Sequence, residues 1–181
     1  IKHMPKIKKF NLKLSVYQIQ QILKKSKISI NDETLSKLCI VVENFRRVVT
    51  PAVFFQNYSA KHNPGLTYPS DSVCASVVVS ALMGAEDFIK EYKNSDDYVF
   101  AKSVLYHAAA ETKAFAWKII SEECEKERCK LTEVTEIKEP ATLDKIKDIL
   151  SKIEVFPTEK GLKPVYSFVE SAFWLPLKKR R

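Results

Sequence analysis

The sequence predicts an all-α protein, an irregular bundle of about six or seven helices with extended basic arms at both ends. One observation is the scarcity of glycine. The 181 residues include three glycines and no Asn-Gly or Asp-Gly pair that would form a tight hairpin turn. Another is the abundance of good helix formers such as lysine, glutamate, alanine and leucine. Apolar residues also recur at helical spacing through most of the chain.

The basic residues are concentrated at the two ends of the chain. Residues 1–31 carry eight lysines and no acidic residue, and residues 160–181 carry six basic residues against the single Glu170. Since the whole chain has a formal charge of +8, residues 32–159 have a net charge of −5. Segregated charge of this kind indicates an anionic partner better than net charge alone does.

These charges and the apolar pattern divide the chain into a basic N-terminal arm (1–14), a helical domain (15–174) and a basic tail (175–181). Residues 1–3 resemble a cloning remnant before a native start at Met4. The N-terminal arm alternates basic and apolar residues, which suits an extended arm or a short edge strand.

Two amphipathic helices are predicted to open the domain. Ser15 is placed to cap the first helix, which runs through Lys27. Asn31 or Asp32 is placed to cap the second, whose apolar stripe continues until Pro51 ends or kinks it.

The middle of the chain is also predicted to be helical. Ala52–Tyr58 would add one or two turns, followed by a loop that contains two prolines and a glycine. A central helix would start after a cap at Ser70 or Asp71 and end at Tyr92. Val77–Val79 could instead form a buried strand, but the length of the apolar pattern favours the helix.

The C-terminal half is predicted to contain one long and one short helix. The long amphipathic helix runs from Asp97 to about Arg128, and residues 131–141 form a linker. Thr142 caps the short helix. A last apolar segment over residues 165–174 precedes the basic tail.

Part of the predicted bundle resembles a known family of helical modules. Residues 85–89, 97–101 and 106–114 are similar to the helical core of HEPN domains, which are four-helix modules of RNases and of nucleotidyltransferase partners. The resemblance implies a helical module without nuclease activity. The catalytic Arg of that family, four to six residues before a His, has no counterpart within ten positions upstream of His107.

The sequence contains no motif that names a reaction. A glycine-rich phosphate loop, a nucleophile elbow and a His-Glu-x-x-His zinc motif are all missing, so we expect a non-enzymatic protein without a cofactor. His107 and Glu111 stand four residues apart and could hold a metal or form a catalytic base. The favoured interpretation is a partly buried histidine beside a solvated glutamate.

The four cysteines indicate neither a metal site nor a disulfide framework. Cys39 and Cys74 are predicted to be small core residues on apolar helix faces. Cys124 and Cys129 form a Cys-x4-Cys pair without a second pair of ligands, so no metal is expected. Without a bilayer-spanning stretch or a secretory signal, we expect no membrane partner and an intracellular location, cytoplasmic or nuclear in a eukaryote.

The function predicted from these features is non-enzymatic nucleic-acid binding, DNA or RNA, alone or as a helical subunit of a nucleoprotein complex. The predicted phosphate contacts are Lys6, Lys8, Lys9, Lys13, Lys24, Lys25, Lys27, Arg46, Arg47, Lys61, Lys178, Lys179, Arg180 and Arg181. Arg46 and Arg47 could instead simply complement a helix dipole. The alternative function is a protein–protein adaptor or oligomeric structural subunit whose lysines only solubilise it.

Overall fold

The chain folds into three layers, with an antiparallel β-sheet between two layers of helices. A computed structural model describes the backbone of residues 6–9 and residues 12–178. The prediction of an all-α helical bundle is wrong, because long strands occupy segments whose apolar pattern predicts helices.

The described part of the chain contains six α-helices and eight strands. The helices are α1 (Val16–Lys25), α2 (Asp32–Val48), α3 (Ala85–Tyr92), α4 (Tyr98–Lys126), α5 (Pro140–Lys145) and α6 (Lys147–Ser151), with a 3-10 turn at Ala60–His62. The strands are β1 (Lys6–Lys9), β2 (Thr50–Tyr58), β3 (Cys74–Met83), β4 (Cys129–Leu131), β5 (Thr135–Glu136), β6 (Phe156–Thr158), β7 (Gly161–Lys163) and β8 (Phe168–Pro176).

The first two helices begin where the sequence predicts them to begin. The Ser15 hydroxyl accepts a hydrogen bond of 3.3 Å from the backbone N–H of Gln18, which caps α1. At α2 the cap is Asn31 rather than Asp32. The Asn31 side chain accepts from the Thr34 N–H at 2.9 Å, and the Thr34 hydroxyl accepts from the Asn31 N–H at 2.8 Å. This reciprocal pair is a capping box.

The strands of the main sheet lie in the order β1-β2-β3-β8-β4, and β5 pairs with the same edge of β8 as β4 does. Every pairing is antiparallel. The predicted N-terminal arm thus contributes an edge strand, with Lys6 opposite Phe55. Strand β8 crosses the predicted boundary at residue 174 and ends at Pro176. The β6–β7 hairpin forms a separate two-stranded sheet.

Strands β2 and β3 correct the predicted helices in the middle of the chain. Ala52–Tyr58 belongs to β2, and the predicted central helix begins only at Ala85 because β3 occupies its first half. Residues 74–82 are all buried, since helices cover both faces of the sheet. A strand buried on both faces shows no polar–apolar alternation, so its pattern can be confused with that of a buried helix.

A left-handed glycine joins β3 to α3. Gly84 has φ +89° and directly precedes the first residue of α3. A Cβ atom at this position would collide with the backbone carbonyl oxygen of Val48, where α2 ends. The chain therefore needs glycine here both for its backbone conformation and for the close approach of α2.

One helical layer, formed by α1 to α4, covers one side of the sheet. Its core contains Ile19 of α1, Phe45 of α2, Phe88 of α3 and Leu105 of α4. The rings of Phe45 and Phe88 meet edge to face, with centroids 5.6 Å apart. The C-terminal half of α4 packs its Ile120 against this face of the sheet.

The other face of the sheet is covered by the chain between β5 and β6. Ile146 and Leu150, on and beside α6, pack on Phe54, Val77 and Val169 of the sheet. Both faces of the main sheet are therefore shielded from solvent. Polar residues lie on the outer sides of the helices, in the loops and at the sheet edges.

Candidate nucleic-acid interface

Helix α1 is held against the helical layer by its apolar side and presents polar residues outward. Ile19 and Leu23 have 0% and 1% of their surface exposed. Tyr17, Lys24 and Lys25 lie on the opposite side and are exposed. Positions 17, 24 and 25 fall on one side of a helix with 3.6 residues per turn. The fold therefore fixes the backbone from which these side chains reach into solvent.

The exposed residues of this segment form what we call the basic α1 surface, defined as Lys13, Tyr17, Lys24, Lys25 and Lys27. All five are exposed. Residues 12–31 contain no acidic side chain. Within the described part of the chain, none of the four lysines forms an ion pair. Their positive charges are therefore available to an external anion.

A purely structural role explains only some of these lysines. Lys24 and Lys25 lie in the last turn of α1, where positive charge interacts favourably with the helix dipole. Lys13 precedes the other end of the helix, where a positive charge opposes the dipole. Stabilisation of α1 alone therefore does not account for the whole set.

Lys27 adopts a backbone conformation that favours glycine. Its φ is +60°, and it follows the C-cap Ser26. The N–H of Ile28 donates to the carbonyl of Leu23 at 3.1 Å, and the N–H of Lys27 donates to the carbonyl of Lys24 at 3.0 Å. These two bonds define a Schellman motif, whose left-handed position is usually glycine. A lysine at this position carries a conformational cost and adds a charge to the basic α1 surface.

The predicted phosphate contacts Arg46, Arg47 and Lys61 do not lie together in the structure. Arg46 forms an ion pair with Glu43 at 2.6 Å, and Arg47 donates to the side-chain oxygen of Asn44 at 2.6 Å. Both arginines end α2 next to the start of β2, whereas Lys61 follows the far end of that strand. A nine-residue strand separates its ends by about 26 Å.

Of the remaining predicted contacts, Lys178 lies away from α1. Leu177, the neighbour of the exposed Lys178, donates its N–H to the carbonyl of Arg128 beyond the C-terminal end of α4. Helix α1 shares its core with residues 100–109 of α4, about 28 Å along the helix axis from Arg128. Only the strand pairing is described for Lys6, Lys8 and Lys9. The predicted contacts Lys179, Arg180 and Arg181 lie outside the described residues.

His107 is enclosed in the helical layer rather than placed in an open cleft. It is 6% exposed, and its Nε2 atom is buried without a hydrogen-bond partner in the described structure. Burial lowers the pKa of His107 from its usual value of 6.5, and the Glu111 carboxylate opposes that shift. The burial argues against a role as a catalytic base, which must reach its substrate.

Three of the four cysteines are buried and all four are free. Burial, reinforced by neighbouring thiols, raises the pKa of Cys74 to about 12 and that of Cys124 to about 11. Such thiols are protonated and poor nucleophiles at neutral pH. Cys39 is exposed, so its predicted place in the core is wrong. Cys74 is buried as predicted, but it lies on strand β3 and not on a helix. Among the described residues, no group of three potential ligands could hold a metal ion.

Two cavities, of about 560 Å³ and about 690 Å³, lie beside the β6–β7 hairpin. The larger one is lined by charged side chains that form ion pairs with one another. In the 690 Å³ cavity the Nζ atom of Lys147 lies 3.9 Å from Asp144, and that of Lys138 lies 3.3 Å from Glu136. This cavity therefore offers a polyanion much less uncompensated charge than the basic α1 surface does.

Tyr17 belongs to the basic α1 surface but is not among the contacts predicted from the sequence. It has 68% of its surface exposed, although it lies among apolar residues at helical spacing. Its position on the solvent side of α1, opposite Ile19 and Leu23, is the signal that could have identified it.

Comparison with known proteins adds no functional information. The chain matches no protein-family model and no curated protein. Within the described residues, no helix combines the length and apolar character that a membrane span requires.

Proposed function

We propose that this chain is a non-enzymatic nucleic-acid-binding protein, or a subunit of a nucleoprotein complex, that contacts phosphates through the basic α1 surface. The observation that carries the proposal is a set of four exposed lysines on and beside one firmly packed helix, none of which is ion-paired within the described residues. Lysines that meet phosphates release counterions from the nucleic acid, which supplies affinity without reading the base sequence.

The surroundings of α1 support this proposal. Glu33, one of the acidic residues that begin α2, is paired with Lys37 at 3.4 Å. Elsewhere the described cations include several that are already paired, such as Arg46 and Lys147. The four free cysteines are compatible with the reducing intracellular compartment that a nucleic-acid partner implies.

A salt titration of oligonucleotide binding tests the proposal. Labelled single-stranded and duplex DNA and RNA are titrated with the protein at several salt concentrations, and binding is measured by fluorescence anisotropy. The double variant Lys24→Gln/Lys25→Gln removes two phosphate contacts. It should make the slope of log affinity against log salt less steep by about 1.4 for single strands and about 1.8 for duplex.

The matched control removes the same charge from another surface. Lys138→Gln/Lys147→Gln changes two lysines that are paired with Glu136 and Asp144 beside the 690 Å³ cavity. This control should leave the salt slope close to that of the unchanged protein. Absence of salt-dependent binding, or equal loss in both double variants, would contradict the proposal.

The second candidate function is a protein–protein adaptor. It is favoured by Ile40, which is 68% exposed beside a groove of about 610 Å³ between α2 and α3. A partner that covered this side chain would remove its apolar surface from water, which favours association. Sedimentation at low and high salt separates the two functions, since an adaptor of this kind would self-associate without affinity for nucleic acid.

A further inference from the structure

The aromatic ring at the centre of the basic α1 surface has no partner in the described structure. Tyr17 is 68% exposed, and among the described residues no ring stacking, cation–π contact or hydrogen bond engages its side chain. Tyr98 of α4 differs, because the ammonium group of Lys102 lies 4.6 Å from the centre of its ring. Most of the Tyr17 side chain is therefore accessible to a ligand.

Lysines lie on both sides of Tyr17 along the axis of α1. Side chains on a helix lean toward its N-terminus, so Lys24 and Lys25, two turns after Tyr17, extend back toward it. Lys13 lies four residues before Tyr17, on the side toward which the ring itself leans. An anionic ligand held by lysines on both sides would therefore pass over the tyrosine.

We propose that the basic α1 surface binds single-stranded nucleic acid, with Tyr17 stacking on an unpaired base while Lys13, Lys24 and Lys25 contact the flanking phosphates. This inference rests on the proposed function. In a duplex the flat faces of the bases are covered by their neighbours, whereas an unpaired base exposes a face that an aromatic ring can cover. Stacking on an exposed ring of this kind therefore adds more to the affinity for a single strand than to the affinity for a duplex.

Three oligonucleotides and two variants of Tyr17 test the inference. The probes are a labelled oligothymidylate, a duplex of the same length, and an abasic strand that keeps the phosphates but lacks bases. Tyr17→Ala should weaken binding to the oligothymidylate by about 5- to 150-fold. The salt slope should not change because tyrosine is uncharged. Tyr17→Phe should bind as the unchanged protein does, since stacking needs only the ring.

The abasic strand separates stacking from a structural effect. It offers no base to Tyr17, so Tyr17→Ala should bind it as well as the unchanged protein does. Phe156→Ala, which truncates a 55% exposed ring on the β6–β7 hairpin, should alter none of these affinities. Thermal melting should show that all variants fold, because both side chains are largely exposed.

Each contrary result has a distinct meaning. Equal weakening of Tyr17→Ala on the abasic strand, or no weakening on the oligothymidylate, would overturn stacking and leave the proposed phosphate contacts in place. Tighter binding of the duplex than of the single strand would overturn the preference for single strands. If no probe binds in a salt-dependent way, the proposed function itself fails, and this inference fails with it.

Discussion

Replacing Gly84 with alanine should destabilise the protein strongly, through two effects that can be measured separately. Gly84 has φ +89°, a conformation that costs an L-residue about 1–2 kcal/mol. The new Cβ would also meet the backbone carbonyl of Val48, which ends α2 and cannot rotate away as a side chain could. Overpacking of this kind costs about 1–3 kcal/mol. The expected loss is therefore about 2–5 kcal/mol, a large part of the about 5–15 kcal/mol of a typical domain.

Gly161 provides the matched control. It has φ +117°, but a Cβ atom built there has no other heavy atom within 4 Å. Gly161→Ala should therefore carry the conformational cost of about 1–2 kcal/mol without the collision. The difference between the two variants measures the contact between α3 and the end of α2.

The measurement is urea unfolding followed by far-ultraviolet circular dichroism and tryptophan fluorescence, with thermal melting as a second observable. For a chain of this size, about 2–5 kcal/mol corresponds to a decrease in Tm of roughly 4–20 °C. If Gly84→Ala costs no more than Gly161→Ala, the close approach of Val48 does not exist in the protein and the argument is refuted.

Two further predictions concern α1 and the helical layer. Lys27→Gly relieves the left-handed lysine of the Schellman motif and should raise the unfolding free energy by about 1 kcal/mol. The same change should reduce the slope of log affinity against log salt for single strands by about 0.7, because one phosphate contact is lost. A variant that is less stable would contradict the conformational cost at Lys27, and an unchanged salt slope would contradict its phosphate contact. For His107, the buried and lowered pKa means that the unfolded chain binds a proton more readily than the folded protein does. The contribution of His107 to the free energy of unfolding should therefore be complete above pH 6.5. It should decline as the pH falls through 6.5 toward the lower pKa of the folded state. His107→Leu should remove this part of the pH dependence in urea unfolding, and an unchanged dependence below pH 6.5 would show that His107 is not its source.

Local signals in the sequence were sufficient to place the first two helices. The caps at Ser15 and Asn31 use hydrogen bonds to residues three positions away, and the apolar stripe of each helix has a regular period. The long helix α4 was also predictable, since the predicted range from Asp97 to about Arg128 contains Tyr98–Lys126. In each case the information lies within a few residues of the structure that it determines.

Strands β2 and β3 were not predictable in this way. Their apolar character follows from burial on both faces, and burial depends on α4 and α6, which are distant in sequence. The pairing of strands also places side by side residues that are far apart in the chain, such as Val78 and Glu170. A continuous apolar run therefore records only that a segment is buried, and not whether it is a helix or a strand.

The basic α1 surface also combines features that are evident from the sequence with features that depend on the fold. The lysines of α1 were evident from charge alone, because no acidic residue interrupts the first 31 positions. Whether a cation is available depends on its neighbours in space. Arg47, for instance, donates to Asn44, which also donates to Tyr92 of α3 at 2.9 Å. The openness of the Tyr17 ring likewise depends on which elements pack beside α1.

The sequence by itself determined the segregation of charge, the caps and the amphipathic face of α1, because these properties are set by residues that are neighbours along the chain. Tertiary structure alone decided that a sheet lies between the helical layers and that Arg46 and Lys61 stand apart at opposite ends of a strand. These properties depend on which distant segments pack together, and packing selects among local structures that the sequence leaves nearly equal in energy.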